Sequence, residues 1–192
     1  MKIVLASGSP RRKTLLRKMG LKFSIRESGF QERLSLKEKP EKYVIEMASG
    51  KAKEVAKKEE NALVIGVDTI GVIGKDVLGK PKSPYEAKRI LRKLSGKWHR
   101  VLSGIAIVDS LSGKITTDVV ETKVKFRKLS YKEIDRYIET DEPLDKAAAY
   151  AIQGRAALFV EEIKGDFFNV VGLPIFRLAQ MLAKSGVKVG EC

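Results

Sequence analysis

The chain has 192 residues, 38 of them Lys or Arg and 24 Asp or Glu, for a formal charge of +14 at neutral pH. That length fits one domain with a substantial core, and no apolar run approaches the roughly 20 residues that cross a bilayer, so a membrane protein is not expected. A single cysteine, Cys192, leaves no intrachain disulfide or cysteine metal cluster, and the charge narrows the ligand to anions without naming one.

Residues 3–6 read as a buried strand, and the small-residue turn Ser7-Gly8-Ser9 leads to Pro10 at the first position of a helix, with Ser9 as its N-cap. The first turn of that helix carries Arg11 and Arg12. Unpaired N–H groups at a helix N-terminus, two guanidinium groups and the hydroxyls of Ser7 and Ser9 suit a polyanion, most simply a phosphate chain. Neither P-loop nor dinucleotide-fold glycine spacing is present, and the alternative is an ordinary turn before a solvated basic helix. Basic residues from Arg11 to Lys18 occupy the place of a signal peptide's apolar region, so a cytoplasmic location is expected. Gly20 closes the helix, residues 23–25 alternate as a short strand, and a polar loop over 28–39 carries Glu32. Pro40 opens a long helix to about residue 60, with Tyr43, Val44, Met47, Ala48 and Val55 on its apolar side. Lys51 and Lys53 lie along it, each a solvated surface lysine unless recruited to a site.

Residues 62–67 form a continuous apolar run that ends in Asp68 and Thr69. This is the pattern of a strand buried on both faces with a carboxylate at its end, where α/β folds place ligands. Asp68 is therefore the candidate for chemistry. Gly74-Lys75-Asp76 makes a hairpin tip, Val77-Leu78 returns, and Lys80 is held between Gly79 and Pro81. Ser83-Pro84-Tyr85-Glu86 is a capping box that opens a helix to Leu94, stopped by Gly96. Strands are expected over 99–102, 105–108 and 115–126, with a turn over 109–113. His99, the sole histidine, lacks neighbours with which to bind zinc and is expected to be an exposed strand residue.

Ser130-Tyr131-Lys132-Glu133 repeats the capping box for a helix to about residue 140. The small residues of 145–154 allow close backbone approach, and Gln153 offers a donor and an acceptor to a base edge. A plain connection into a strand over 158–160 explains the same alanines. Gly165-Asp166 turns the chain, residues 167–173 pass through Asn169, and Pro174 begins the last helix, with Phe176, Leu178 and Leu182 as expected core contacts.

Ala6-Ser7-Gly8-Ser9-Pro10-Arg11-Arg12, Gly66-Val67-Asp68-Thr69, Gly79-Lys80-Pro81, Leu94-Ser95-Gly96, Asp145-Lys146-Ala147 through Gln153-Gly154, and Gly165-Asp166-Phe167-Phe168-Asn169-Val170-Val171-Gly172-Leu173-Pro174 occur in that order over nearly the whole chain. Together they resemble the Maf family of nucleoside triphosphate pyrophosphatases. The resemblance implies a single domain over residues 1–192, an α/β fold like that of the inosine triphosphate pyrophosphatases. A long mixed, twisted sheet flanked by helices is expected, with two lobes around a cleft.

The resemblance also implies hydrolysis of a nucleoside triphosphate between its α and β phosphates, with a divalent cation, Mg²⁺ or Mn²⁺, and a homodimer. Arg11, Thr69 and Gln153 match the branch acting on dTTP and UTP, with CTP or modified pyrimidine nucleotides as further substrates. The branch acting on 7-methyl-GTP usually has Trp for the first arginine and Asp-Gln for Asp-Thr. On this reading Asp68 is the proton acceptor and holds the cation with Glu32. Ser7, Arg11, Arg12, Lys51 and Lys80 bind the triphosphate, while Thr69, Gln153 and Arg11 select the substrate. Gln31 departs from the family, which usually has an acidic residue there. Two other readings are a pyrophosphatase for methylated or non-standard nucleotides and a nucleotide-regulated binding protein linked to cell division. Without an interleaved aromatic and basic platform, nucleic acid is not an expected partner.

Overall fold

Apolar and β-branched runs supply the strands of one mixed sheet. The computed structural model describes residues 1–31 and 39–189; Glu32 and Cys192 lie outside the described residues. The strands are β1 (Lys2–Leu5), β2 (Ser24–Ile25), β3 (Ala62–Ile73), β4 (Asp76–Leu78), β5 (Trp98–Asp109), β6 (Ile115–Phe126) and β7 (Val160–Lys164). Their order is β2-β1-β3-β5-β6-β7, with β4 paired to β3. β1 is parallel to both neighbours, Leu5 standing opposite Ile25 and Ile65, whereas β4 is antiparallel to β3 and β7 to β6. The helices are α1 (Pro10–Lys18), α2 (Pro40–Ala56), α3 (Pro84–Leu94), α4 (Tyr131–Ile138), α5 (Phe167–Val171) and α6 (Ile175–Lys184). The fold is α/β, as expected.

Several local expectations are corrected. Asp68 stands inside β3, not at its end, because Thr69-Ile70-Gly71-Val72-Ile73 continues the extended run and nothing turns the chain before Gly74, at φ +58°. The two strands expected over 99–108 are one, β5, since Gly104 is not a break. It is where α2 crosses, and a Cβ there would run into the Val44 carbonyl oxygen. α2 stops at Ala56, because the charged run from Lys57 to Glu60 offers no apolar face and Asn61 takes a left-handed turn at φ 49°. Residues Arg155–Phe159 coil as a 3-10 helix, and the last strand begins only at Val160. Phe176 is exposed, because the buried stripe of α6 is Leu178, Met181 and Leu182 and position 176 falls off that face.

The chain forms two compact units, the first Met1–Asp68, Ser103–Val120 and Gly172–Cys192, the second Thr69–Leu102 and Glu121–Val171. β3, β5 and β6 pass through both. The first unit packs α2 closely on its strands through small residues, among them Ala6, Ala48, Ala52, Val64 and Ala106. Gly66 makes this possible, since a Cβ there would strike the Ala48 carbonyl oxygen. The second unit is built around aromatic rings: Phe126 meets Tyr150 edge-on at 4.8 Å and His99 at 5.1 Å, and Tyr137 meets Phe159 at 5.1 Å. His99, expected at the surface, is buried here, with Nε2 2.9 Å from the Tyr150 hydroxyl.

Candidate active site

α1 begins where a small-residue turn leaves β1. Ser9 occupies the N-cap position, but its side chain makes no cap hydrogen bond, and Pro10 removes one of the donors that would need it. Ser7 does the local work instead. Its buried hydroxyl oxygen accepts from the Ser9 N–H at 3.3 Å and from Arg12 Nη1 at 3.2 Å, and Arg12 Nε donates to the Gly172 carbonyl at 2.9 Å. Arg12 thereby pins the turn to the stretch that enters α6. The first turn of α1 contains no acidic residue and three consecutive cations, Arg11, Arg12 and Lys13. Cations at a helix N-terminus oppose the dipole, an arrangement that becomes favourable when an anion binds between them.

The second feature of this unit is an ion pair. Lys51 Nζ donates to Asp68 Oδ1 at 2.7 Å, with side-chain exposures of 12% and 8%. Lys51 is thus no solvated surface lysine. Its position follows from packing: Ala48 and Ala52 of α2 press on Gly66. Asp68 is two residues further along the same strand face, and Lys51 is on the adjoining helical position. No further hydrogen bond to the Asp68 carboxylate occurs among the described residues. The Lys51 ammonium thus holds one of the two carboxylate oxygens.

The donor set bears on the cation. Among the described residues no group of three or more His, Cys, Asp or Glu side chains is arranged to hold a metal ion. A hard divalent ion that takes one or two protein carboxylates and fills its other positions with water and phosphate oxygens fits Asp68, whereas zinc in a closed protein site does not.

In the second unit Thr69 follows Asp68 on β3 and is half-buried, while Lys80 is exposed in the turn between Gly79 and Pro81. The Gly79 carbonyl accepts from the Ala148 N–H at 3.0 Å, which ties the Lys80 turn to the segment leading to Gln153. Ala148 and Ala149 are both left-handed, at φ 57° and 59°, a sparsely populated conformation for non-glycine residues. Ala148 lies against Gly71, which has no Cβ to obstruct it. Close backbone approach therefore accounts for the alanine stretch. Gln153 is exposed in a turn closed by Gly154 N–H donating to the Ala151 carbonyl at 3.0 Å.

Asn169, quoted in the sequence only as part of a motif, is buried and acts as a fastener. Its Nδ2 donates to the Val101 carbonyl and to Thr122 Oγ1, each at 3.0 Å, and Thr122 Oγ1 also accepts from the Asp166 N–H at 3.1 Å. Of the expected site residues, the structure joins Lys51 to Asp68 and Ser7 to Arg12, and links the Lys80 turn to the Gln153 segment. Glu32 lies outside the described residues.

The family described as Maf-like protein matches residues 2–185. The chain belongs to the Maf family. That span includes every expected site residue of this Maf chain and ends one residue past α6. Among its relatives is a dTTP/UTP pyrophosphatase of Dictyoglomus thermophilum, 46% identical over 185 residues and 96% of each chain. Another dTTP/UTP pyrophosphatase, from Thermoanaerobacter pseudethanolicus, is 52% identical over 185 residues, again 96% of each. A third, from Alkaliphilus metalliredigens, is 48% identical over 184 residues and 95% of each. Among solved structures, the nucleoside-triphosphatase / dITP/XTP pyrophosphatase of Mycobacterium abscessus is 15% identical, covering 96% of this chain and 98% of that one, with a TM-score of 0.45.

Proposed function

We propose that this Maf chain hydrolyses dTTP and UTP to the nucleoside monophosphate and pyrophosphate. The observation that carries the reading is the largely buried ion pair between Lys51 of α2 and Asp68 of β3, in a chain about half identical to proteins named dTTP/UTP pyrophosphatase. Hydrolysis of a phosphoanhydride asks a protein mainly for positioning, charge neutralisation and an activated water. Ser7, Arg11, Arg12, Lys51 and Lys80 bind the triphosphate oxygens. Asp68 accepts the proton of the attacking water as the oxygen bonds to phosphorus and the bond to the bridging α–β oxygen breaks, releasing pyrophosphate. Lys51 fixes the carboxylate for that transfer through Oδ1. A divalent cation, when bound, neutralises charge on the phosphate oxygens, and Asp68 with Glu32 would hold it.

Base choice falls to Thr69 and Gln153, with Arg11 as a further contributor. A site that pairs with polar base groups rejects nucleotides that leave those groups unmatched. The test is pyrophosphate release from a panel of normal and modified triphosphates, with and without Mg²⁺ or Mn²⁺. Cation-dependent release, fastest from dTTP and UTP, supports the reading. Preference for a methylated or other non-standard nucleotide overturns the pyrimidine assignment, and no turnover of any member overturns the enzymatic one.

A further inference from the structure

The turn that carries Gln153 is gripped by two side chains for which the proposed chemistry has no use. Tyr137, at the end of α4, is 4% exposed and wedged edge-on against Phe159. Its hydroxyl donates to Glu142 Oε1 at 2.8 Å and accepts from the Ala151 N–H at 3.3 Å. The other Glu142 oxygen accepts from the Arg155 N–H at 3.2 Å. Gly154 lies flat on the same carboxylate, so that a Cβ there would collide with it. Ala151 is therefore fastened on one side of Gln153 and Arg155 on the other, and both attachments lead to one Tyr–Glu pair. Glu142 is aimed by its own backbone: Asp141 takes a left-handed φ of 56°, and the Glu142 N–H donates to Thr140 Oγ1 at 3.3 Å. Burial, and secondarily the Glu142 carboxylate, push the Tyr137 phenol above its ordinary pKa, which keeps it a neutral donor.

We propose that Tyr137 and Glu142 are positioning residues for base selection: by fixing both flanks of the turn they set the direction in which Gln153 presents its amide. This rests on the reading of Gln153 as a base-selecting residue. A bracket that only stabilised the fold would affect all substrates alike. A bracket that aims Gln153 affects the substrates Gln153 selects.

The experiment compares kcat and KM for UTP, dTTP and a purine triphosphate, alongside thermal melts, in Gln153→Ala, Tyr137→Phe, Gly154→Ala and the double variant Tyr137→Phe/Gln153→Ala. Loss of the two hydrogen bonds in Tyr137→Phe is expected to lower kcat/KM for UTP and dTTP about 3- to 10-fold, mainly through KM, with the slow purine rate unchanged. Gly154→Ala, which keeps both partners but forces them apart, gives the same shift in preference. The double variant is no less selective than Gln153→Ala alone. Gln153→Ala that loses preference while Tyr137→Phe and Gly154→Ala keep it overturns the inference and spares the reading of Gln153. An equal loss on every triphosphate in Tyr137→Phe also overturns it. Gln153→Ala with intact preference overturns both.

Discussion

Asp68 on β3 and His99 on β5 are both ionisable groups buried on long strands, with residue exposures of 6% and 2%, yet their surroundings are opposite. The Asp68 carboxylate has an ammonium group 2.7 Å away and no other hydrogen-bond partner among the described residues. His99 has a phenol at 2.9 Å and the edges of two aromatic rings, and among the described residues its Nδ1 has no hydrogen-bond partner. Burial pushes the imidazole down to about 4, so at neutral pH it is a neutral ring in a core. Burial alone thus leaves His99 a packing element, whereas Asp68 is buried with a fixed opposite charge beside it, the arrangement on which its proposed role rests.

That contrast breaks most easily at Asp68. Asp68→Asn is expected to lower kcat about a thousandfold, as loss of a general base does, while nucleotide affinity measured by calorimetry stays near wild type. Lys51→Met removes the countercharge and leaves a carboxylate buried. Its cost in denaturant titrations is expected at about 3 kcal/mol, less in the double variant with Asp68→Asn. Gly66→Ala tests the packing that brings the pair together. The added Cβ meets the backbone of Ala48 in α2, so stability falls by about 2 kcal/mol and activity falls with it as Lys51 moves off Asp68.

The smallest effect belongs to His99. Its folded-state pKa lies below that of the unfolded chain, so the unfolded state binds more protons between pH 6.5 and about 4. Stability is therefore full above pH 6.5 and declines as pH falls through that window, by about 1 kcal/mol between pH 7 and 5.5 from this group alone. His99→Gln, which keeps a polar group toward Tyr150, flattens that part of the curve. If the slope survives unchanged in His99→Gln, other groups cause it.

Features set by neighbouring residues were legible in the sequence. The Ser130 capping box forms with both of its hydrogen bonds, and at Ser83 the serine half forms while Glu86 turns to the Lys82 N–H. The basic turn at α1 and the apolar run into Asp68 were among the motifs that carried the family. Features set by distant residues were not. Gly104 reads as a strand break until α2 is laid across it, and His99 reads as exposed until Tyr150, 51 residues away, covers it. The Tyr137–Glu142 bracket gives no local signal, because a left-handed Asp141 brings the two side chains together. The buried state of Lys51 has the same origin: spacing places it on α2, but only the close approach at Gly66 decides which strand residue it meets.

The central claim is that Asp68 drives cleavage between the α and β phosphates of a pyrimidine triphosphate. The most direct measurement is product analysis by anion-exchange chromatography of dTTP and UTP incubated with Mg²⁺ and either the wild-type chain or Asp68→Asn. Equimolar monophosphate and pyrophosphate from the wild type, with none above background from the variant, is the predicted result. Diphosphate and orthophosphate from the wild type, or undiminished turnover in the variant, would contradict it.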